Sequence, residues 1–372
     1  MSDVVGQRNA AVHEAAIDSK TRLELLRLVS EYSLPVGSAV LARRLEERGI
    51  GITEDAVRYH LRVLDRQGYT KRLGNRGRTI TGDGWNELRS SLVDTRLGIG
   101  LASQEGLAQQ VSMERATGGR AVAASLSIVP TESLGVVLRN AAVACRAGIS
   151  LGDQVALVRS GERPGGLPIP PDKTGLITVS TATIDGILLS RGLLFRPTFG
   201  GLVEVSGWRP LRIVEAIDFG YSSRDPEEIL IRFGGTRIRS IAENGHGLLL
   251  ADVREMIGTC RETVLHILQE IRRSEGLGAV CAVGQVGQPL LGVPVRPHMF
   301  AVAIVSGLNP LVASYEAGVP VEFVTNAVMV DRETFSPVES FLPESERENL
   351  PTGGAVEGSW STDGEESLAT AP

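Results

Sequence analysis

Cysteine and histidine are scarce in this sequence, at three and five of 372 residues. Cys145, Cys260 and Cys281 are odd in number and far apart, so no disulfide framework is expected. They read as reduced, mostly buried thiols of a cytoplasmic protein. No CxxC or HxxxH pair occurs, and no metal site is expected. No apolar run reaches about 18 residues, which leaves no candidate for a membrane-crossing helix. The opening MSDVVGQRNAAVHEAAIDSK has no apolar segment of the kind a signal peptide carries. Ser180 and Ser306 lack a GxSxG setting, and Gly284-Gln-Val-Gly287 lacks the Lys-Ser/Thr ending of a phosphate loop. No catalytic residue and no cofactor is therefore expected.

What is present is an ordinary globular composition, 42% hydrophobic and 22% charged. At roughly 100–200 residues per domain the chain holds two or three domains. Charge is unevenly placed. Residues 19–90 carry 14 Lys/Arg against 9 Asp/Glu, a surplus of five, which leaves −11 on the remainder of a chain whose total is −6. A basic module on an acidic body fits a nucleic-acid reader attached to something else, although a solvated basic face would look the same.

The first ninety residues read as three helices and a hairpin. Ser19-Lys-Thr-Arg opens the first helix, with Leu23, Leu26, Leu28 and Val29 on one side. The second starts at Gly37-Ser38, carries Arg43 and Arg44, and stops at Gly49. Thr53 is a good N-cap for the third, in which Val57, Leu61 and Leu64 form the buried stripe. Arg58, Tyr59, Arg62 and Arg66 lie off that stripe, where a recognition helix presents side chains to a groove. His60 reads as core edge. Lys71, Arg72, Asn75, Arg76 and Arg78 crowd the hairpin around Gly74–Gly77, a wing able to reach phosphates or the minor groove. A winged helix also serves as a protein-docking module, so the fold alone does not give DNA binding.

The rest of the chain is organised by a repeat. Gly166–Gly192 and Gly292–Gly318 align without a gap at an offset of 126. Gly166/Gly292, Pro168/Pro294, Pro171/Pro297, Val179/Val305, Ser180/Ser306 and Gly192/Gly318 are identical. Glycine and proline set backbone shape, so their coincidence signals two copies of one fold. The flanks extend each copy to strand-helix-strand, turn, strand-helix-strand, giving lobes at about 121–215 and 246–330. The stretch from Phe199 to Ile238 between them reads as β, with a turn or bulge at Gly234-Gly235-Thr236. Residues 93–120 read as a linker with room for a short helix, and 343–372 as a disordered acidic tail.

Where two lobes meet, a small ligand can bind. Ser180, Thr181, Thr183, Ser306 and Asn309 sit where strand turns to helix, and helix starts favour anions; such residues are also ordinary N-caps. Arg196, Arg254 and Arg296 lie near the repeat edges and would answer a dicarboxylate. The competing reading is an enzyme fused to a winged helix, with Asp252, His266 and His298 as candidates, although their spacing matches no metal or triad pattern.

VRYHLRVLDRQGYTKRLGNRGRTIT, the run Pro197–Val205, SSRDPEEI from Ser222 and SGLNPLVASYEAG from Ser306 together resemble the archaeal nitrogen regulatory repressor family, NrpR. The resemblance spans roughly residues 19–341. It implies a repressor that dimerises through its regulatory domain and binds palindromic double-stranded DNA operators of nitrogen-assimilation genes. The resemblance also implies that accumulated 2-oxoglutarate releases the repressor. Some members carry two tandem regulatory domains, whereas this chain has one with its own duplication. The expected fold class is an N-terminal winged helix-turn-helix (α+β), 19–92, followed by an internally duplicated α/β regulatory domain, 121–342.

Overall fold

The computed structural model describes residues 21–32, 34–91, 97–113, 120–278, 280–351 and 354–356. It divides into two compact units, Met1–Arg96 and Leu97–Pro372.

The first unit is a winged helix. Helix α1 covers 21–30, followed by α2 (Ser38–Glu47), α3 (Glu54–Arg66), strands β1 (Thr70–Arg72) and β2 (Arg78–Ile80), and α4 (Gly82–Ser91). The Thr53 hydroxyl caps α3 by accepting from the Ala56 N–H at 3.2 Å. Val57, Leu61 and Leu64 pack with Leu26, Leu28 and Val29 of α1 and with Leu41 and Leu45 of α2. Leu25 joins them fully buried, while Leu23 stays at the margin of this core. Burying one such leucine contributes about 1.5–3 kcal/mol. The wing pairs Thr70 with Ile80 and Arg72 with Arg78. Val36 joins as a third short strand, exchanging both backbone hydrogen bonds with Arg78 at 2.9 Å. Gly77 has φ +113°, and a Cβ there would lie 2.3 Å from the Val36 carbonyl oxygen. The wing can close on Val36 only because that side chain is missing.

The second unit begins with α5 (Ile99–Ala108), so part of the expected linker is a helix, with Gln104 and Ala108 buried. Two copies of β-α-β-β-α-β follow. The first comprises β3 (Ala121–Pro130), α6 (Leu134–Arg146), β4 (Gln154–Val158), β5 (Lys173–Val179), α7 (Ala182–Ser190) and β6 (Phe195–Ser206). The second comprises β8 (Gly247–Ile257), α10 (Arg261–Glu275), β9 (Val280–Val283), β10 (Met299–Val305), α11 (Asn309–Glu316) and β11 (Glu322–Asp331). The repeated glycines adopt matching shapes: φ is +84° and +85° at Gly166 and Gly292, and +76° and +84° at Gly192 and Gly318.

The sheets do not follow the two halves of the sequence. One runs β11-β3-β5-β4-β12, where β12 is Ser336–Pro337; the other runs β7-β6-β8-β10-β9, where β7 is Arg209–Asp218. Every pairing is antiparallel. Strand β6 of the first copy lies on β8 of the second, from Phe195↔Met256 to Val205↔Gly247. Reciprocally, β11 lies on β3, from Glu322↔Ile128 to Asp331↔Ala121. Each half thus supplies a strand to the sheet of the other, and the segments expected to form facing lobes, 121–215 and 246–330, are interlocked. Periodicity specifies that a segment is a strand but not which edge it joins.

Leu126, Ile177 and Val179 of one sheet and Phe300, Val302 and Ile304 of the other share a single core with α7 and α10. Leu249, Val253 and Val305, on the opposite face of the second sheet, pack with Ile238 and Ile241 and with Val312 of α11. Two further corrections concern segments expected to lack helix. Between the copies, α8 (Pro226–Arg232) and α9 (Ile238–Asn244) follow the β6–β7 hairpin. Asp225 caps α8 by accepting from the Glu227 N–H at 2.9 Å, and Pro226 sits at its first turn. In the expected tail, α12 (Glu344–Glu348) forms and Leu350 is buried, its carbonyl accepting from Arg146 at 3.2 Å. Residues 357–372 lie outside the described residues.

Candidate nucleic-acid interface and a buried polar centre

In the first unit, α3 and the wing border a cleft of about 520 Å3, where Arg58 and Arg62 of the helix stand near Arg72 and Asn75 of the wing. Arg43, Arg44, Arg58, Tyr59, Arg62, Arg66, Lys71, Arg72, Asn75 and Arg76 are all exposed. Several are already engaged. Arg58 is held by Glu54 at 2.6 Å, Asp55 at 3.1 Å and the Ser38 hydroxyl at 3.3 Å. Arg44 pairs with Glu47 at 3.0 Å. Arg78 is set apart from the other wing cations: only 11% of its side chain is exposed, and its Nε donates to Asp65 at 2.8 Å. Thr70 donates to the same carboxylate at 2.7 Å. Arg78 therefore ties the wing to α3 rather than pointing to solvent. His60 is buried, as its place on the helix predicts, with its ring edge-on to Tyr59 at 5.3 Å.

In the second unit, the strand ends of the two copies carry matching hydrogen bonds. Ser180 donates its N–H to the Ala123 carbonyl at 2.9 Å, and Ser306 donates to Leu250 at 3.0 Å. The Thr183 hydroxyl and the Asn309 amide reach those same two carbonyls at 2.8 and 3.0 Å. These side chains tie the start of each helix to the neighbouring strand rather than capping it, since neither α7 nor α11 has a side-chain N-cap hydrogen bond. Between them lies a buried polar centre. Arg254 on β8 is fully buried and makes a two-pronged pair with Asp185 of α7, at 2.6 and 3.0 Å. Gln104 of α5 donates to Asp185 at 2.8 Å, and the Thr181 hydroxyl donates to Asp252 at 2.6 Å. Asn326, in a bulge of β11 with φ +44°, donates to Asp225 at 3.0 Å.

Four carboxylates and one guanidinium share this region, and the proton affinities of three of the acids, Asp225, Glu227 and Asp252, reflect it. Burial, then the nearby Asp252 charge, pushes Asp225 up to about 7. Burial, with Asp252 and Asp225, raises Glu227 well above the ordinary carboxylate value. Burial also raises Asp252, against the pull of Arg254. Among the described residues, Ser180 Oγ, Glu227 Oε1, Asp252 Oδ1 and Arg254 Nη1 have no hydrogen-bond partner. Buried polar atoms of this kind are met by water or by a bound small molecule.

Six of the eight candidate effector residues, Ser180, Thr181, Thr183, Arg254, Ser306 and Asn309, are thus brought to the junction of the copies, all buried. Arg196 and Arg296 are exposed, and Arg296 pairs with Glu255 at 2.5 Å. The acids Asp185, Asp225 and Glu227 carry no motif, yet a signal was available: Asp185 is the only charge in the apolar helix ATIDGILLS. The three enzyme candidates share no common setting. Asp252 is buried against Thr181 and Arg254, His266 is exposed on α10, and His298 is exposed ahead of β10. Among the described residues no cluster of His, Cys, Asp or Glu could hold a metal ion, and no helix is long and apolar enough to cross a membrane.

Residues 97–337 match the family described as NrpR regulatory domains NRD1 and 2. The chain belongs to the NrpR family. Its residues 23–88 also match the Ribonuclease R winged-helix domain. It is 30% identical over 316 residues to the global nitrogen regulator NrpRI of Methanosarcina mazei, covering 85% of this chain and 97% of that protein. It is 30% identical to the global nitrogen regulator NrpR of Methanococcus maripaludis and 28% identical to that of Methanocaldococcus jannaschii, covering 81% and 86% of this chain. It spans about half of each of those two, 52% and 55%. A crystal structure of a nitrogen repressor-like protein from Methanococcus jannaschii shares the fold, with a TM-score of 0.53 and 22% identity over 64% of this chain and 98% of that one. In this chain a winged helix thus precedes an NrpR regulatory unit.

Proposed function

We propose that this NrpR-family chain is a DNA-binding transcriptional repressor of nitrogen-assimilation genes. In this reading it works in the cytoplasm as a homodimer on a palindromic operator and leaves it when 2-oxoglutarate accumulates. The observation that carries the reading is the cleft where Arg58 and Arg62 of α3 stand near Arg72 and Asn75 of the wing. Helix and wing together offer cations to phosphates and, through Tyr59, Arg62 and Arg66, side chains to base edges. The names of the relatives supply the nitrogen context.

For the effector, the junction of the two copies is the favoured place. Arg254 is already neutralised by Asp185 and lies 3.6 Å from Asp252. A dicarboxylate entering there must displace a protein carboxylate or be met by protonated acids, and the raised proton affinities of Asp225 and Glu227 favour the second route. The ligand changes DNA affinity only as far as it binds the DNA-incompetent state better.

A titration of labelled operator DNA at two salt concentrations, with and without millimolar 2-oxoglutarate, tests the reading. Salt-sensitive binding that weakens with 2-oxoglutarate is expected. Absence of DNA binding at low salt removes the repressor; DNA binding indifferent to 2-oxoglutarate removes that effector.

A further inference from the structure

Helix α5 is the part of the second unit that follows the winged helix in the chain, and only residues 92–98 separate it from α4. It touches the buried polar centre at two places. The Gln104 amide, fully buried, donates at 2.8 Å to Asp185 Oδ2, the same oxygen that accepts from Arg254 at 3.0 Å. On the Asp225 side, the Ser103 hydroxyl donates to the Asn326 carbonyl at 3.1 Å, and the Asn326 amide donates to Asp225 at 3.0 Å. The Gly98 N–H donates to the Ser222 carbonyl at 2.8 Å. Gly100 is pressed on the same segment: a Cβ there would come within 3.1 Å of the Asp225 Cα.

What holds α5 in place is mostly polar. Its buried residues are Gly100, Gln104 and Ala108, whereas Leu101 and Leu107 are half-buried and Ile99 is exposed. It therefore buries no apolar side chain larger than alanine, and apolar burial is what anchors most helices. The other elements that meet at Asp185 are fixed more firmly. Strand β8 is hydrogen-bonded between β6 and β10, and Ile184, Ile187 and Leu188 of α7 lie in the core. The Gln104 amide is itself satisfied on one side, since among the described residues its Oε1 has no hydrogen-bond partner. Helix α5 is thus the element whose position depends most on which partners Asp185 and Asp225 keep.

We infer that α5 relays occupation of the polar centre to the DNA-binding unit. An anion that draws Arg254 away from Asp185, or that engages Asp225, loosens α5, and the winged helix tethered to it by residues 92–98 then binds DNA more weakly. This rests on the effector site of the proposed function and adds how that site acts. Linkage is reciprocal, so loosening α5 by substitution populates the effector-bound state: DNA affinity falls and effector affinity rises.

Two full-length variants loosen α5 in different ways. Gln104→Met removes the amide and leaves the Arg254–Asp185 pair intact. Gly100→Ala forces α5 off the Asp225 backbone and removes no polar group; alanine is also the better helix former, so the helix itself is not weakened. Fluorescence anisotropy with labelled operator DNA and calorimetry with 2-oxoglutarate are read on wild type and both variants. Each variant is expected to bind DNA about tenfold more weakly without effector, and 2-oxoglutarate severalfold more tightly, as a coupling of ordinary size requires. A merely structural role for these residues would weaken both affinities. If neither variant moves the two affinities in opposite directions while wild type responds to 2-oxoglutarate, the relay alone is overturned. A wild type that binds DNA indifferently to 2-oxoglutarate removes the effector reading and the relay with it.

Discussion

Arg254 and Asp185 form a two-pronged ion pair at the junction of the two copies, with no more than 1% of either side chain exposed. The pair links β8 of the second copy to α7 of the first, and Gln104 adds a third element through the same carboxylate. Removing one partner leaves a buried charge without its counterion, which costs about 3–5 kcal/mol. Arg254→Met is therefore expected to lower the unfolding free energy of the second unit by that amount, read from urea titrations. Arg254→Met combined with Asp185→Leu should recover much of the loss, because an apolar pair of similar volume can replace a buried ion pair. Additive losses in the double variant would show that the pair does not act as a unit.

The acids around that pair predict a pH dependence. Asp225 binds its proton more tightly folded, near 7, than at its ordinary value of 3.8, through burial and then Asp252, with Glu228 adding and Glu227 N–H and Asn326 opposing. The unfolded chain thus carries fewer protons than the folded one between about pH 4 and 7, so this contribution is complete below that window and is lost as pH rises through 7. Glu227 and Asp252 shift in the same direction. Glu339 and Glu270, lowered by Arg146 and Arg191, act oppositely and only in the acid range. Unfolding free energies from urea titrations between pH 4.5 and 7.5 should fall, each such group adding a slope of at most about 1.4 kcal/mol per pH unit. Asp225→Asn should flatten the curve; an unchanged slope would assign the protons elsewhere.

How much of this was legible beforehand differs by residue. Thr53, Gly74 and Gly77 mark helix start and wing turn by local backbone chemistry, so the winged helix could be read directly. Gly166/Gly292 and Gly192/Gly318 revealed the duplication for the same reason. The exchange of β6 and β11 was not readable, because strand partners are chosen by tertiary packing. Asp225-Pro226 was a helix start in plain view within a stretch that otherwise looked β. Arg76 and Arg78 look alike in sequence; only the position of Asp65 separates them.

That separation is measurable. Arg76 is exposed, so Arg76→Ala should leave thermal stability unchanged and, in the proposed repressor, lower the slope of log K against log salt by about one. Arg78→Ala breaks a charge-assisted bond between the wing and α3 and should cost the first unit about 1.5–3 kcal/mol. Equal melting of the two variants would refute the distinction.

The acids beside Arg58 give a prediction in the opposite direction. Glu54 and Asp55 open α3 and hold the Arg58 guanidinium within the cleft bordered by the wing. A DNA phosphate must compete with both carboxylates for that cation, so they weaken binding to every sequence. They also favour the helix start, where each negative charge contributes about 0.3–1 kcal/mol. Replacing them in the E54Q/D55N variant should therefore tighten binding to random-sequence DNA severalfold, steepen the salt slope, and lower the melting temperature slightly. Tighter binding together with lower stability is the signature, because a merely structural role would weaken both. Fluorescence anisotropy and a thermal melt on the same samples read the two effects, and weaker DNA binding in this variant would exclude the acids as a brake on Arg58.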